Sequence, residues 1–199
     1  CKSKSNSLNS LPARAEGLSS SKANLSGMAE EKMHIFLTGD RRVGKSFLLQ
    51  RVLSALKPQT SGFITAWGKA DAEGTTPLIL SDASGTRSAV AACRYTDDRP
   101  RKVFPEVFET LGTECLENLQ GLVLMDELGR FESSTEKFRS AVFAVLDSDL
   151  PVFGVVRDME IPFLDAVRNH PKTEVIRVTE ENRDALFETV LKRIEEILK

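Results

Sequence analysis

The chain has 199 residues, 41% hydrophobic and 28% charged, with a formal net charge of -2. That length fits one domain with its own core and is too short for two ordinary ones, and the composition is that of a soluble globular protein. The charge gives no global field for drawing the protein onto nucleic acid or an acidic membrane, and no apolar run approaches the roughly eighteen residues of a membrane span. The expected partner is therefore a compact one or a small ligand, with neither nucleic acid nor membrane.

Cys1, Cys93 and Cys115 are an odd set without a CxxC pair, and His34 and His170 lie far from them in sequence. Neither a disulfide framework nor a zinc site is indicated; buried free thiols in a reducing, cytoplasmic compartment are expected. Residues 1–32 are rich in Ser, Asn and Lys and lack an apolar period, which predicts a flexible tail or linker before a domain spanning 33–199. An initial Cys also suits a processed lipoprotein, but the cytosolic substrate indicated by the next motif argues against it.

From Met33 the pattern changes. Residues 34–38 (HIFLT) predict a short strand ending at Gly39, and 46–56 (SFLLQRVLSAL) an amphipathic helix stopped by Lys57-Pro58. Residues 61–67, 77–80 and 88–95 read as three short strands between Gly, Asp and Thr turns, an antiparallel excursion. A helix is predicted over 104–119, a buried strand over 122–125, a helix over 135–146, a strand over 151–156, a short helix over 162–169 and a strand over 175–178. The last helix is expected to start near Thr179, with Thr179 as its N-cap and Glu180 and Glu181 in its first turn. Alternating strands and helices imply an α/β fold with a parallel sheet covered on both faces.

Gly39, Gly44, Lys45 and Ser46 fit GxxxxGK[ST] between a strand and a helix. Glycines let backbone N–H groups curl around a β-phosphate, a lysine reaches the β/γ oxygens, and the hydroxyl ligates magnesium at a helix N-terminus that favours anions. The whole run Gly39, Asp40, Arg41, Arg42, Val43, Gly44, Lys45, Ser46 and Phe47 is the expected nucleotide-contacting set. Asp126-Glu127 follow the apolar run Leu122 to Met125, at the carboxyl end of a strand, where open α/β sheets bind ligands. Asp126 is the expected second magnesium group and Glu127 the residue that orients or deprotonates the attacking water.

The segments FLTGDRRVGKSFLLQRV, SGFITA, LMDELGRFESSTEKFRSAV, PVFGVV and TEVIRVTEENRDAL extend over about 165 residues, and with them the chain resembles the small P-loop nucleoside-triphosphatases of the thermostable and cancer-related type, also labelled predicted nucleotide kinases. The resemblance implies a three-layer P-loop NTPase fold with a mostly parallel central sheet and a small antiparallel insertion. It also implies Mg2+-dependent hydrolysis of ATP, GTP and related triphosphates with relaxed base preference. Three departures stand out: Arg41-Arg42 where the family usually has Pro-Gly, Ser46 where it has Thr, and Ala66-Trp67 where a glutamate is expected after Thr65. If position 42 needs positive φ, its side chain carries a steric cost that glycine would not.

Arg130 or Arg157 suits an arginine finger in cis, with an ordinary ion-paired arginine as the alternative for each. Asn182 and Arg183 suit contact with the base, or capping of the final helix. Glu132 suits support of the metal site or, more simply, a solvated loop carboxylate. Trp67 reads as a packing residue rather than a base platform, and residues 94–102 (RYTDDRPRK) as a solvated loop before a phosphate lid. Two rivals to the hydrolase remain: a nucleotide or nucleoside kinase, for which 62–102 is the only room for an acceptor pocket, and a nucleotide-dependent binding switch with little turnover.

Overall fold

The computed structural model describes residues 31–97 and 99–199. Of the expected tail, residues 1–30 lie outside the described residues.

Strand β1 (His34–Thr38) is buried along its whole length, and its side chains alternate between two cores. Ile35 and Leu37 point into one with Val52, Leu124, Val155 and Val190; Phe36 points into the other with Phe63, Met125, Phe138 and Val142. A strand that is apolar on both faces needs helices on both. Helices α1 (Lys45–Leu56) and α5 (Arg183–Ile197) cover the first face. The second is covered by α2 (Pro105–Val107) with the π-helical turn Phe108–Gly112, and by α3 (Glu136–Asp147) and α4 (Pro162–Arg168).

The remaining strands are β2 (Thr60–Trp67), β3 (Thr75–Asp82), β4 (Ser88–Tyr95), β5 (Lys102–Val103), β6 (Leu122–Leu128), β7 (Val152–Val156) and β8 (Thr173–Arg177). The eight form one sheet in the order β5-β4-β3-β2-β6-β7-β1-β8. Strands β2, β6, β7, β1 and β8 run parallel, and β3, β4 and β5 add antiparallel to β2. The three-layer architecture with a small antiparallel part is the one expected.

Four expectations are corrected. The helix over 104–119 is helical only over 105–114, with the π turn in its middle, and Asn118 at φ 50° lies beyond where it stops. Its apolar spacing reflects Cys115 and Leu116 packed from a turn. The strand over 122–125 continues through both carboxylates to Leu128. The last helix starts at Arg183 with Asn182 as its N-cap, not Thr179: the Thr179 N–H donates to Asn182 Oδ1 at 2.8 Å, which closes a turn in place of the first helical residues. The run 94–102 is partly sheet, since Arg94 and Tyr95 end β4 and Lys102 opens β5. Cys93 and Cys115 are free thiols, Cys115 buried and its pKa pushed up to about 11 by burial. Among the described residues no helix is long and apolar enough to cross a membrane.

His34 opens β1 with no exposed surface. Its Nε2 lies 2.8 Å from the Leu146 carbonyl, Nδ1 has no hydrogen-bond partner, and the His170 ring is 6.0 Å away. Burial is the main force lowering its pKa; the Leu146 carbonyl opposes this, while His170 and Lys172 add to it. The unfolded chain takes up this proton near 6.5 and the folded chain only at lower pH, so stability present above 6.5 is lost as pH falls below it. The stability of the wild type relative to His34→Gln is expected to fall between about pH 7.5 and about pH 5.5, as read by urea denaturation of both proteins at each pH.

Candidate active site

The loop after β1 is shaped by three residues with positive φ. Gly39 has φ 130°, and a Cβ there would lie 2.2 Å from the Val178 carbonyl oxygen, so the loop leaves the sheet pressed against the chain that follows β8. Gly44, at φ 101°, is the N-cap of α1, and its carbonyl accepts the Leu48 N–H at 2.8 Å. Arg42 has φ 65°, so the position does demand the left-handed region, and a side chain with a Cβ occupies it. The Lys45 ammonium is folded inside the loop, donating to the carbonyls of Gly39 at 2.9 Å and Asp40 at 2.6 Å. Ser46 and Phe47, on the first turn of α1, are exposed. Exposed amides, an ammonium and a hydroxyl at a helix N-terminus make an anion cradle.

Opposite the loop stands the end of β6. Consecutive residues of a regular strand point to opposite faces. Here the pairing with β7 slips, Asp126 opposite Val155 and Leu128 opposite Val156, so Glu127 is the extra residue of a bulge that re-aims it. Its N–H donates to Thr65 Oγ1 at 3.2 Å, from the neighbouring β2. Asp126 is 2% exposed and accepts the Ser46 hydroxyl on Oδ1 at 3.0 Å. Burial raises its pKa to about 6, with Ser46 and Lys45 opposing and Glu127 reinforcing the rise.

Between loop and carboxylates runs β7, and the residue following it, Arg157, forms an ion pair with Glu127. Arg157 is itself held. The Arg168 guanidinium on α4 donates to the Arg157 and Met159 carbonyls at 2.5 and 2.6 Å, fixing the turn that carries it. Lys45 has its pKa lowered, chiefly by burial and also by Arg157, against the opposing pull of Glu127, Asp40 and Asp126. One site thus holds Lys45, Ser46, Asp126, Glu127 and Arg157.

A description of an NTPase family matches residues 34–191. The chain belongs to this NTPase family. It is 31% identical to the nucleoside-triphosphatase THEP1 of Natranaerobius thermophilus, over 83% of this chain and 98% of that one. It is 30% identical to that of Methanocaldococcus jannaschii, over 81% and 97%. The cancer-related nucleoside-triphosphatase homolog of Bos taurus is 27% identical over 79% and 94%. In fold, the crystal structure of THEP1 from Aquifex aeolicus superposes with a TM-score of 0.68 at 24% identity, covering 82% of this chain and 99% of that one.

In this member of the family, the residues outside the central five divide. Arg183 reaches the phosphate loop: a Cβ on Gly44 would lie 3.2 Å from its Cδ. Asn182 serves the turn and cap, its amide accepting the Thr179 N–H and donating to the Arg177 carbonyl at 3.1 Å. Phe47 is 60% exposed, with the Arg51 guanidinium 5.8 Å from its ring centroid. Arg130, exposed, lies over Phe131 at 5.2 Å; Arg157 is the arginine against Glu127. Trp67 packs under the Arg94 guanidinium at 4.6 Å.

Glu132 is not a solvated loop carboxylate. It is 2% exposed and accepts the Gly129 N–H on Oε2 at 3.0 Å. Burial drives its pKa up to about 7, with Glu127 adding to the rise and its own N–H, the Gly129 N–H and Arg157 opposing it. Sequence reasoning missed Thr65 and Arg168, whose roles depend on which strand and turn they touch; neither carries a local motif.

A divalent cation fits the donor set. Asp126 is a buried carboxylate whose charged form Ser46 and Lys45 offset only in part, the Ser46 hydroxyl faces it, and both offer the hard oxygen atoms magnesium takes. Among the described residues no group of three or more His, Cys, Asp or Glu could hold a metal, so phosphate and water oxygens would complete the shell.

Two outcomes follow from strain and burial. Arg42→Gly is expected to keep the fold and gain about 0.5–1 kcal/mol in urea unfolding, because relief of left-handed strain exceeds the added freedom of the unfolded chain. For Glu132 the sign is that of an acid with a raised pKa: the unfolded chain ionises from about 4.5 and the folded one near 7, so stability is lost as pH rises through that window. Glu132→Gln is expected to flatten it, by on the order of 3 kcal/mol at most, in denaturation curves from about pH 4 to about pH 8.

Proposed function

We propose that the chain is a nucleoside-triphosphatase that hydrolyses ATP, GTP and related triphosphates to the diphosphate and phosphate with Mg2+. The observation that supports this reading is Glu127, set off from the regular strand by a bulge, paired with Arg157 and acting electrostatically on Lys45 of the phosphate loop. The names of the relatives, nucleoside-triphosphatase, support it.

The loop amides and the Lys45 ammonium bind the β- and γ-phosphate oxygens, replacing the contacts the ammonium makes with the Gly39 and Asp40 carbonyls. Ser46 and Asp126 would hold the cation, which when bound would supply neutralisation of the charge that develops on the phosphate oxygens. Glu127 orients a water for in-line attack on the γ-phosphorus; the bond to the β–γ bridging oxygen breaks and the water proton passes to Glu127. Arg157, one strand closer to the loop, stabilises charge on the equatorial oxygens of the transferring group. The residues assembled address phosphates rather than a base, which supports broad base preference. A general base held beside the loop favours turnover over a binding switch. A cytosolic location accords with the triphosphate supply there.

Phosphate release with Mg2+ and each triphosphate tests the reading. Lys45→Ala is expected to lose activity and triphosphate affinity together. Glu127→Gln is expected to lower kcat by about 100-fold or more with triphosphate affinity kept, and Arg157→Ala by up to about 1000-fold. Unchanged kcat in Glu127→Gln would overturn the assignment of the base.

A further inference from the structure

The site has a direction. The strand order β6, β7, β1, β8 puts Asp126 and Glu127 at the end of β6, Arg157 after β7, the phosphate loop after β1 and the turn leading to α5 after β8. In the nucleoside-triphosphatase reading the γ-phosphate meets Glu127 and Arg157, on the β6 side of the loop. A triphosphate gripped by the loop with its γ end turned that way extends its nucleoside the other way, toward β8 and the start of α5.

On that side the loop and α1 meet α5. A Cβ on Gly44 would lie 3.2 Å from Cδ and 3.6 Å from Nη1 of Arg183, the first residue of α5. Arg51 spans the same seam: its guanidinium lies 4.2 Å from the Phe187 ring centroid and 5.8 Å from that of Phe47, with Asp184 Oδ1 3.5 Å away. Residues 47 and 51 are one helical turn apart and share a face of α1, so Phe47 stands on the α5 side. It is two residues past Lys45, about 3 Å along the helix axis, which keeps its ring level with the loop. Single hydrophobic side chains on a surface are ordinary. Phe47 differs in kind and place. Among the described residues the exposed large hydrophobic side chains are Phe47, Val90 and Leu198, and Phe47 alone of the three is aromatic. Its ring is 60% exposed, and Leu48, Leu49 and Val52 are the residues that seat α1 on the sheet. A ring of this size left in water has a large apolar face to offer a ligand.

We propose that Phe47 is the platform on which the base of the bound triphosphate stacks, and therefore the residue that grades substrates by the size of their base. The proposal rests on the nucleoside-triphosphatase reading and deepens it. A stack reads the face of a base and not the donors and acceptors on its edge, so every base is accepted. Adenine and guanine cover more of the ring than cytosine or uracil do. The chain thus keeps a broad substrate range while binding purine nucleotides more tightly than pyrimidine nucleotides, with little distinction between ATP and GTP.

The test is steady-state phosphate release from ATP, GTP, CTP and UTP with Mg2+, in the full chain and in its Phe47→Ala and Phe47→Trp variants. The wild type is expected to show KM values for ATP and GTP about threefold or more below those for CTP and UTP. Phe47→Ala is expected to raise the purine values by about fivefold or more and the pyrimidine values less, which closes the gap. Phe47→Trp keeps an aromatic face and is expected to preserve the gap. The proposal is overturned if the wild type has equal KM values for purine and pyrimidine triphosphates, or if Phe47→Ala leaves the gap intact. It is overturned equally if Phe47→Ala raises all four values by the same factor, since the ring would then be shaping the loop and not holding the base. A wild type that releases phosphate from none of the four overturns the nucleoside-triphosphatase reading and this proposal with it; phosphate release without the gap overturns only the proposal.

Discussion

The site depends on the side-by-side parallel pairing of β6, β7 and β1. Because the three strands run the same way, each releases its chain at the same edge of the sheet. The release points carry Asp126 and Glu127, Arg157, and the phosphate loop, in that order. Strand spacing of about 4.8 Å sets the distances between these groups. The flanking strands supply the finishing contacts: Thr65 of β2 receives the Glu127 N–H, and Val178, just past β8, forms the wall against which Gly39 turns. The loop and the carboxylates are far apart in sequence yet need no long side chain to meet.

The same pairing explains why charged groups are tolerated in a poorly solvated place. Asp126 and Lys45 are buried against the ends of strands whose other side chains are apolar, and each is shifted toward its neutral form by that burial. Each also lies within reach of opposite charge, which limits the cost. Arg157 has a double bond of duty, to Glu127 through its side chain and to Arg168 through its carbonyl. The Arg168 contact stiffens the turn after β7, so the Arg157 guanidinium is presented from a fixed backbone.

The parts of this site legible in the sequence are those whose chemistry needs contiguous residues. Gly39 to Ser46 forms a loop from local geometry, and Asp126-Glu127 are marked by the apolar run before them. The strand-helix alternation likewise gave the layers, since two-faced burial leaves an unbroken apolar run. Residues that act across the sheet left no such mark. Glu132 resembles any loop carboxylate until the turn after β6 folds it under Gly129, and Arg168 resembles any surface helix arginine until α4 is laid against the end of β7. The helix expected over 104–119 ends at 114 for a related reason: Cys115 and Leu116 are buried from the turn that follows, which copies the apolar spacing of a further helical turn. Asn182 was legible as a cap, but its partner Thr179 was misjudged because a closed turn and a first helical turn use the same polar residues.

The place of β1 within the sheet also governs when the binding loop can exist. Its two pairing partners are β7 and β8, with His34 opposite Val152 on one side and Thr173 on the other. During synthesis the ribosome releases β1 and the whole phosphate loop long before either partner emerges. Contacts this distant in sequence form late and slowly. A chain made only as far as α1 therefore has the nucleotide-binding sequence without the nucleotide-binding shape, and the loop acquires its geometry only when β7 and β8 have been made.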